Sequence, residues 1–454
     1  MANWDLIIYF LLIGILLFVG KILKKNVPFL NRIVLPTALL GGVIGLLLSN
    51  VFIPGSYQID VDVMTAIVYH ALALGFISLT LKRTKTDNKK KVWSTGMLIT
   101  STYALQGFIG ILMVLIFFSD KFVGAGMLLP LGFGQGPGLA TSFGRMWTDM
   151  LNGYGVALGA SYAFIGFVFG GTIGVLAINI LSRKKGIEKT KRYWDASIQK
   201  TTIEIDTVKE ISVLDGLTVQ VVIIFLIYGL VWLTLFLLEG VLLNFGNIGQ
   251  TIFNLLSGFN FILGIGYALI YKQIIKKIEK KGKNLNFMTN DYILSNISSL
   301  CFNFMITGAV LTITIDFLSE FGWLLISITA VGGFISLFYI RYLTKRVYDN
   351  YQDEYFVGLF GMLTGVASTG IALLKGLDRN LETPVAEELV LGSGTAITMA
   401  LPLFGFLMLP SLGYGQSFEG LFELIALFGC LAYVIVMFVI LMYRSKKNTV
   451  SKKE

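Results

Sequence analysis

Histidine and cysteine are nearly missing: the 454-residue chain has one histidine, His70, and two cysteines, Cys301 and Cys430. One imidazole cannot build a His-based metal cluster. The two cysteines sit inside apolar runs and suggest neither a disulfide framework nor a zinc site. A Ser-His-Asp set or an HExxH helix has too little histidine to draw on. A Walker A loop is missing too, which argues against ATP-driven transport by this chain alone. The expectation is a protein that is not an enzyme and needs no cofactor. Charge is the next shortage: Asp, Glu, Lys and Arg make up 14% of the chain, against about 25% in an average soluble protein. That deficit excludes a soluble domain of this length.

Apolar residues are abundant, at 55% of the chain with a mean hydropathy of +0.76. Charge-free runs of about 20 residues recur, and a run of that length matches the hydrocarbon thickness of a bilayer. Eleven read as spanning helices, near 4–23, 33–53, 63–81, 93–119, 153–181, 216–243, 249–271, 292–315, 321–341, 385–410 and 419–443. The first, MANWDLIIYFLLIGILLF, has no basic start and no small-residue cleavage site, so it reads as a span and not as a removed signal. The net charge of +9 comes from Lys and Arg that sit between spans. They fit contact with anionic lipid and leave nucleic acid out as a partner.

Two apolar segments, 122–146 and 355–377, differ from the rest. Both are crowded with Gly, Ser and Thr, which break helices or expose backbone. Loop charge says how they run. Lys21, Lys24, Lys25 and Arg32 follow the first span, PGSYQIDVD follows the second without Lys or Arg, and KRTKTDNKKK follows the third. Basic loops recur at 182–213, 272–283, 341–346 and in the tail RSKKNTVSKKE, with neutral or acidic connections between. Basic loops stay cytoplasmic, so the N-terminus is expected outside and the C-terminus inside. The alternation holds only if 122–146 and 355–377 each enter and leave on one side. Both are therefore expected to be re-entrant hairpins, the first from outside and the second from the cytoplasm. Irregular backbone at membrane depth needs a protein interior or a wet cavity around it.

The two halves share an order of four spans, a hairpin and a span, with opposite starting sides. The expected fold is an all-α polytopic membrane protein with an inverted-topology repeat of five spans plus one hairpin each, and one extra C-terminal span. Residues 1–182 form the first repeat, 183–215 a cytoplasmic connecting loop, 216–410 the inverted second repeat, and 411–454 the extra span and basic tail. Sequence echoes agree: GFGQG at 132–136 with GMLTG at 361–365, and VALGASYA at 156–163 with LVLGSGTA at 389–396.

The first hairpin reads LLPLGFGQGPGLATSFGRMW, with glycines at 132, 134, 136 and 138 around Pro137. That spacing suits no ordinary α-helix, so extended backbone open to close approach by a ligand is expected there. Gly134, Gln135, Gly136, Thr141 and Ser142 are candidate substrate-binding residues, and a helix starting after Pro137 would point its amides at a carboxylate. In the second hairpin, Thr364, Gly365, Ser368 and Thr369 follow the same logic. Ser161, Ser393 and Thr395 on the spans that follow, with Asn303, are candidate oxygen ligands for Na⁺. No buried acidic proton relay is apparent. His70, mid-span in VYHALALGF, and Gln106 read first as helix–helix hydrogen-bonding groups.

Three motifs carry a resemblance: GFGQGPG at 132–138, GGTIG at 170–174 and LPTALLGGVIGLLL at 35–48. With the order of elements, they make the chain resemble the bacterial sodium/glutamate symporter family over nearly its whole length, most strongly at 130–182 and 355–405. That resemblance implies Na⁺-coupled uptake of an acidic amino acid, a homodimer in the bacterial cytoplasmic membrane, and hairpins that carry substrate and ion. It also places the chain in a structural class that includes citrate and other carboxylate symporters, with elevator motion. A symporter for another carboxylate, 2-hydroxycarboxylate-like, is the nearest alternative. A channel is a further one.

Overall fold

The computed structural model describes residues 4–27, 30, 36–49, 59–82, 90–184, 216–245, 249–250, 253, 256–257, 260–281, 288–378 and 383–450. The expected connecting loop, 183–215, lies almost wholly outside the described residues, as do most of the basic stretch 82–91 and of the turn 378–382.

Helices form wherever apolar runs leave the backbone no water to bond. In chain order they are α1 (Asp5–Asn26), α2 (Thr37–Leu47), α3 (Val61–Leu81), α4 (Lys90–Phe117), α5 (Gly124–Pro130), α6 (Pro137–Met146), α7 (Gly155–Lys184), α8 (Gly216–Leu242), α9 (Asn260–Glu279), α10 (Asp291–Leu311), α11 (Ile315–Val347), α12 (Gln352–Thr364), α13 (Ala367–Leu374), α14 (Val385–Met399), α15 (Leu401–Gly413) and α16 (Glu419–Val450). The described residues contain no strand. In hydrocarbon a helix satisfies its own backbone and an open sheet edge does not. The chain is an all-α, multi-pass membrane protein.

Among the described residues, eight helices are long and apolar enough to cross a bilayer, and a ninth span arises if α14 and α15 count as one. The run 385–410, expected to be one span, is thus two helices bent by 51°. Pro402 explains the bend: it cannot donate to the helix and clashes with the carbonyl four residues back. The expected span 33–53 shows an 11-residue apolar helix, its flanks outside the described residues. Within the expected span 249–271 the described residues are helical; α9 continues past it to Glu279, carries Lys276 and Lys277 in its last turn, and is not among the eight.

The chain divides into two compact units. The first comprises Met1–Val19, Gly41–Lys85 and Ile198–Thr312. Here α3 and α10 pack through glycine: a Cβ on Gly75 would stand 2.9 Å from Phe302. Side-chain caps start both helices, Asp60 accepting from the amides of Asp62 and Val63, and Asn290 from those of Tyr292 and Ile293. Ile77, Leu81, Ile224, Ile227, Ala268 and Leu294 form one apolar cluster of the unit.

The second unit comprises Gly20–Leu40, Thr86–Ser197 and Ile313–Glu454. It holds both Gly-rich segments together with α4, α7, α11 and α14 to α16. Phe133, Phe143, Trp147, Tyr162, Phe317, Phe321, Tyr355 and Phe360 are fully buried large side chains of this unit.

Candidate functional site: two broken helices that meet

Each Gly-rich segment is a helix, a break and a second helix. In the first, α5 runs into a π-helical stretch, Leu131–Gln135, before the chain breaks at Gly136 and restarts as α6. In the second, α12 ends at Thr364, the chain passes through Gly365 and Val366, and α13 begins at Ala367. The expectation of extended backbone across 132–138 is therefore corrected: only Gly136 departs from helix. The other glycines serve contact. A Cβ on Gly132 would stand 2.5 Å from Tyr162 Cβ, and one on Gly134 2.0 Å from the Tyr103 ring.

Gly136 is required twice over. Its φ of +80° lies where side chains are strained, and a Cβ there would stand 2.6 Å from Val366 Cγ1. The same distance shows that the two breaks touch. The N-terminal ends of α6 and α13 thus lie at one place inside the second unit. Neither carries a side-chain cap. The first amides of a helix have no partner within it and carry roughly half a positive charge between them. Two such ends at one buried point make a locus for anionic groups.

One helix holds both breaks. From α4, Tyr103 Oη donates to the carbonyl of Gly134 at 3.0 Å, and Gln106 Nε2 donates to the carbonyl of Leu363 at 3.0 Å and to Ser336 Oγ at 3.1 Å. Tyr103 and Gln106 are three residues apart and share a helix face. Gln106 is fully buried, and its Oε1 has no partner. The carbonyls of a broken helix are freed by the break, and here side chains of α4 meet two of them.

Helix α7 threads both segments along a row of small residues. A Cβ on Gly155 or Gly159 would meet the carbonyl of Gly144 at 1.8 Å or of Ala140 at 2.2 Å, both on α6. Further along, a Cβ on Gly166 would stand 2.4 Å from the carbonyl of Thr364, on Gly170 2.6 Å from Thr364 Oγ1, and on Gly174 2.5 Å from Leu373. Glycines four apart let two backbones approach where lipid gives no hydrophobic drive. The GGTIG motif at 170–174 belongs to this contact. Between the two sets of contacts lies Ser161, 3% exposed, whose Oγ has no hydrogen-bond partner.

The other candidates fall as follows. Thr141 Oγ1 bonds the carbonyls of Pro137 and Gly138 at 2.7 and 3.1 Å, and Thr364 Oγ1 that of Phe360 at 2.7 Å, each within its own helix. Ser142 and Thr369 are buried, and Gln135 is half-buried beside the break. Thr369 stands over the second break, where a Cβ on Gly365 would be 2.9 Å from its Oγ1. The side chain of Ser368 lies outside the described residues. Ser393 is half-buried and bonds the carbonyl of Val390 at 2.7 Å, while Thr395 bonds that of Gly392 at 2.9 Å and fills the contact with Gly96 of α4. Asn303 belongs to α10, in the first unit.

The chain matches no protein-family model, and no curated protein or solved structure matches it. The reading of the site therefore rests on its geometry and on sequence motifs. Tyr103 was not legible as a site residue, because nothing near it in sequence marks it. Only the fold sets its hydroxyl against Gly134, 31 positions away.

Proposed function

We propose that the protein is a secondary active transporter, a Na⁺-coupled symporter of glutamate or a similar small carboxylate, working by elevator-type alternating access. The observation that carries this reading is the meeting of two uncapped helix breaks inside one compact unit. Discontinuous helices whose N-termini point at anionic substrate groups are a recurring solution in transporters with inverted repeats. A dicarboxylate has one anionic group for each N-terminus. The unpaired Gln106 Oε1 and Ser161 Oγ are neutral oxygen acceptors of the kind that suits a hard cation, and Ser161 is our first choice of Na⁺ ligand.

This reading takes the chain as an inverted repeat, and matched parts support it. The helices α3 and α10 hold the same place in each half and both begin at an Asp or Asn cap. The two broken segments hold the same place as well. In this scheme the second unit carries the cargo, the first is the scaffold and dimer contact, and Na⁺ offsets substrate charge during passage. The N-terminus is outside and the C-terminus cytoplasmic, in a bacterial cytoplasmic membrane.

The test is uptake of labelled glutamate into proteoliposomes with and without an inward Na⁺ gradient. A several-fold stimulation by Na⁺ is expected. Equal uptake in the two conditions would sink the coupling, and competition by unlabelled carboxylates would rank the substrates.

A further inference from the structure

Helix α9 changes character along one face. Its inner side carries Phe261, Gly264, Ala268 and Ile275, all buried. The outer side begins apolar, with Ile262, Leu269, Ile270 and Ile274 each about half exposed. Beyond them it turns basic, with Lys276, Lys277, Lys280 and Lys281 exposed. At 3.6 residues per turn, the apolar and the basic set share the outer half of the helix. Helical bonding continues past Glu279: Lys280 N–H donates to the carbonyl of Lys276 at 3.2 Å, and Lys281 N–H to that of Ile278 at 3.0 Å. Lys276 and Lys280 therefore stand one turn apart, as do Lys277 and Lys281, with about 5–6 Å between Cβ atoms.

The lengths match one leaflet. From Ile262 to Ile274 the apolar track rises about 18 Å at roughly 1.5 Å per residue, close to the roughly 15 Å of hydrocarbon in half a bilayer. The ammonium groups that follow then stand at headgroup depth, where lysine stems lie along apolar surface and their heads reach the polar layer. A fifth lysine holds this end in place. Lys272 is half-buried, and its Nζ donates to the carbonyls of Thr80 and Lys82 at 2.9 and 2.5 Å, at the end of α3. The last carbonyls of a helix have no amide of their own to meet them, so Lys272 fastens α9 to α3. The acid in the run, Glu279, is half-buried and has a partner of its own.

We propose that the outer face of α9 binds an anionic phospholipid, its acyl chains along Ile262, Leu269, Ile270 and Ile274 and its headgroup phosphate among Lys276, Lys277, Lys280 and Lys281. Charge complementarity selects the headgroup: a zwitterionic one brings no net charge to the lysines, and basic clusters where a helix leaves the membrane attract anionic lipid. The apolar track selects a lipid, because a soluble anion would meet the lysines and leave the track unused. The Lys272 joint passes the attachment on to α3, so the bound lipid seats the first unit at a fixed depth in that leaflet. The proposal stands on the bilayer and on α9 and does not depend on the symporter reading.

Quenching by brominated lipid reads the lipid composition beside a chosen residue. The whole protein, with Cys301→Ser and Cys430→Ser and a fluorophore on Ile270→Cys, is reconstituted in vesicles of phosphatidylcholine and phosphatidylglycerol, with bromine on the chains of one lipid or the other. At equal mole fraction, phosphatidylglycerol is expected to quench about threefold more than phosphatidylcholine at Ile270→Cys, with no preference at Phe236→Cys on the exposed side of α8. Changing Lys276, Lys277, Lys280 and Lys281 together to glutamine should abolish the preference, and changing them to arginine should keep it. Equal quenching by the two lipids overturns the proposal, as does a preference that survives the glutamine changes. A preference of the same size at both positions overturns it too, since that is attraction to the whole protein and not to this face. If the glutamine variant does not insert, salt decides: at 1 M the screening length falls to about 3 Å, and a preference that this salt leaves unchanged overturns the proposal equally.

Discussion

Gly136 is the residue on which the site turns. Its positive φ and its contact with Val366 leave no room for a side chain, and forcing alanine into such backbone costs more than about 1 kcal/mol. Gly136→Ala is expected to lower Na⁺-driven uptake at least tenfold while the protein still inserts and purifies; near-wild-type uptake would mean that the break is not where substrate sits. Gln106→Leu removes the donor to Leu363 and leaves a buried carbonyl unmet, a cost of about 1–3 kcal/mol. A lower Tm in detergent and a large loss of uptake should follow together, and an unchanged Tm would show that the bond contributes little. Ser161→Ala is different, because that hydroxyl makes no bond to lose. It should leave Tm unchanged and raise the Na⁺ concentration for half-maximal uptake severalfold; an unaltered Na⁺ dependence removes Ser161 from the ion site.

Helix α7 is the element that ties the two broken segments into one body. Its glycines at 166, 170 and 174 admit the second segment, as those at 155 and 159 admit the first. Overpacking such a contact costs about 1–3 kcal/mol. Gly170→Val is therefore expected to lower both Tm and uptake, whereas the same change at Gly229, which has open space around it, should alter neither. Equal tolerance at both sites would remove the glycine row from the account. Helix α11 pins the far ends of the segments. Glu320 binds Lys121 at 3.1 Å and Asn152 at 2.6 Å near the ends of the first, and Arg341 binds Asp353 at the start of the second. Their half-exposure keeps each pair at the modest energies of surface ion pairs, so they register the segments more than they stabilise them.

At the scale of the whole molecule, alternating access predicts that one position is reached from each side of the membrane in turn. Gln135 is half-buried at the break. With Cys301 and Cys430 replaced by serine, Gln135→Cys should react with an impermeant thiol reagent from outside in one condition and from inside in another, the balance shifting with Na⁺ and substrate. Labelling from both sides at once, unaffected by either, would favour a channel. Much of the plan was open to inspection beforehand. Span length, loop charge and the paired Gly-rich segments are local or additive properties, and a bilayer turns them into helices with little choice, because no other backbone satisfies itself in hydrocarbon. The bend at Pro402 shows how far that goes: its proline was visible, but whether one span or two results depends on the neighbours it packs among.

The amino-acid sequence by itself determined the solvent, the helices and the two places where helices break, since Gly136, Pro137 and Gly365 act on their own backbone. Tertiary structure alone decided what those breaks do. It brought Gly136 against Val366, 230 positions away, set Tyr103 and Gln106 on the carbonyls around them, and buried Glu388 while Ser393 stayed half-buried. Helix breaks follow from steric rules within a few residues. A site made of two breaks follows only from which helices pack together, and no local pattern encodes that.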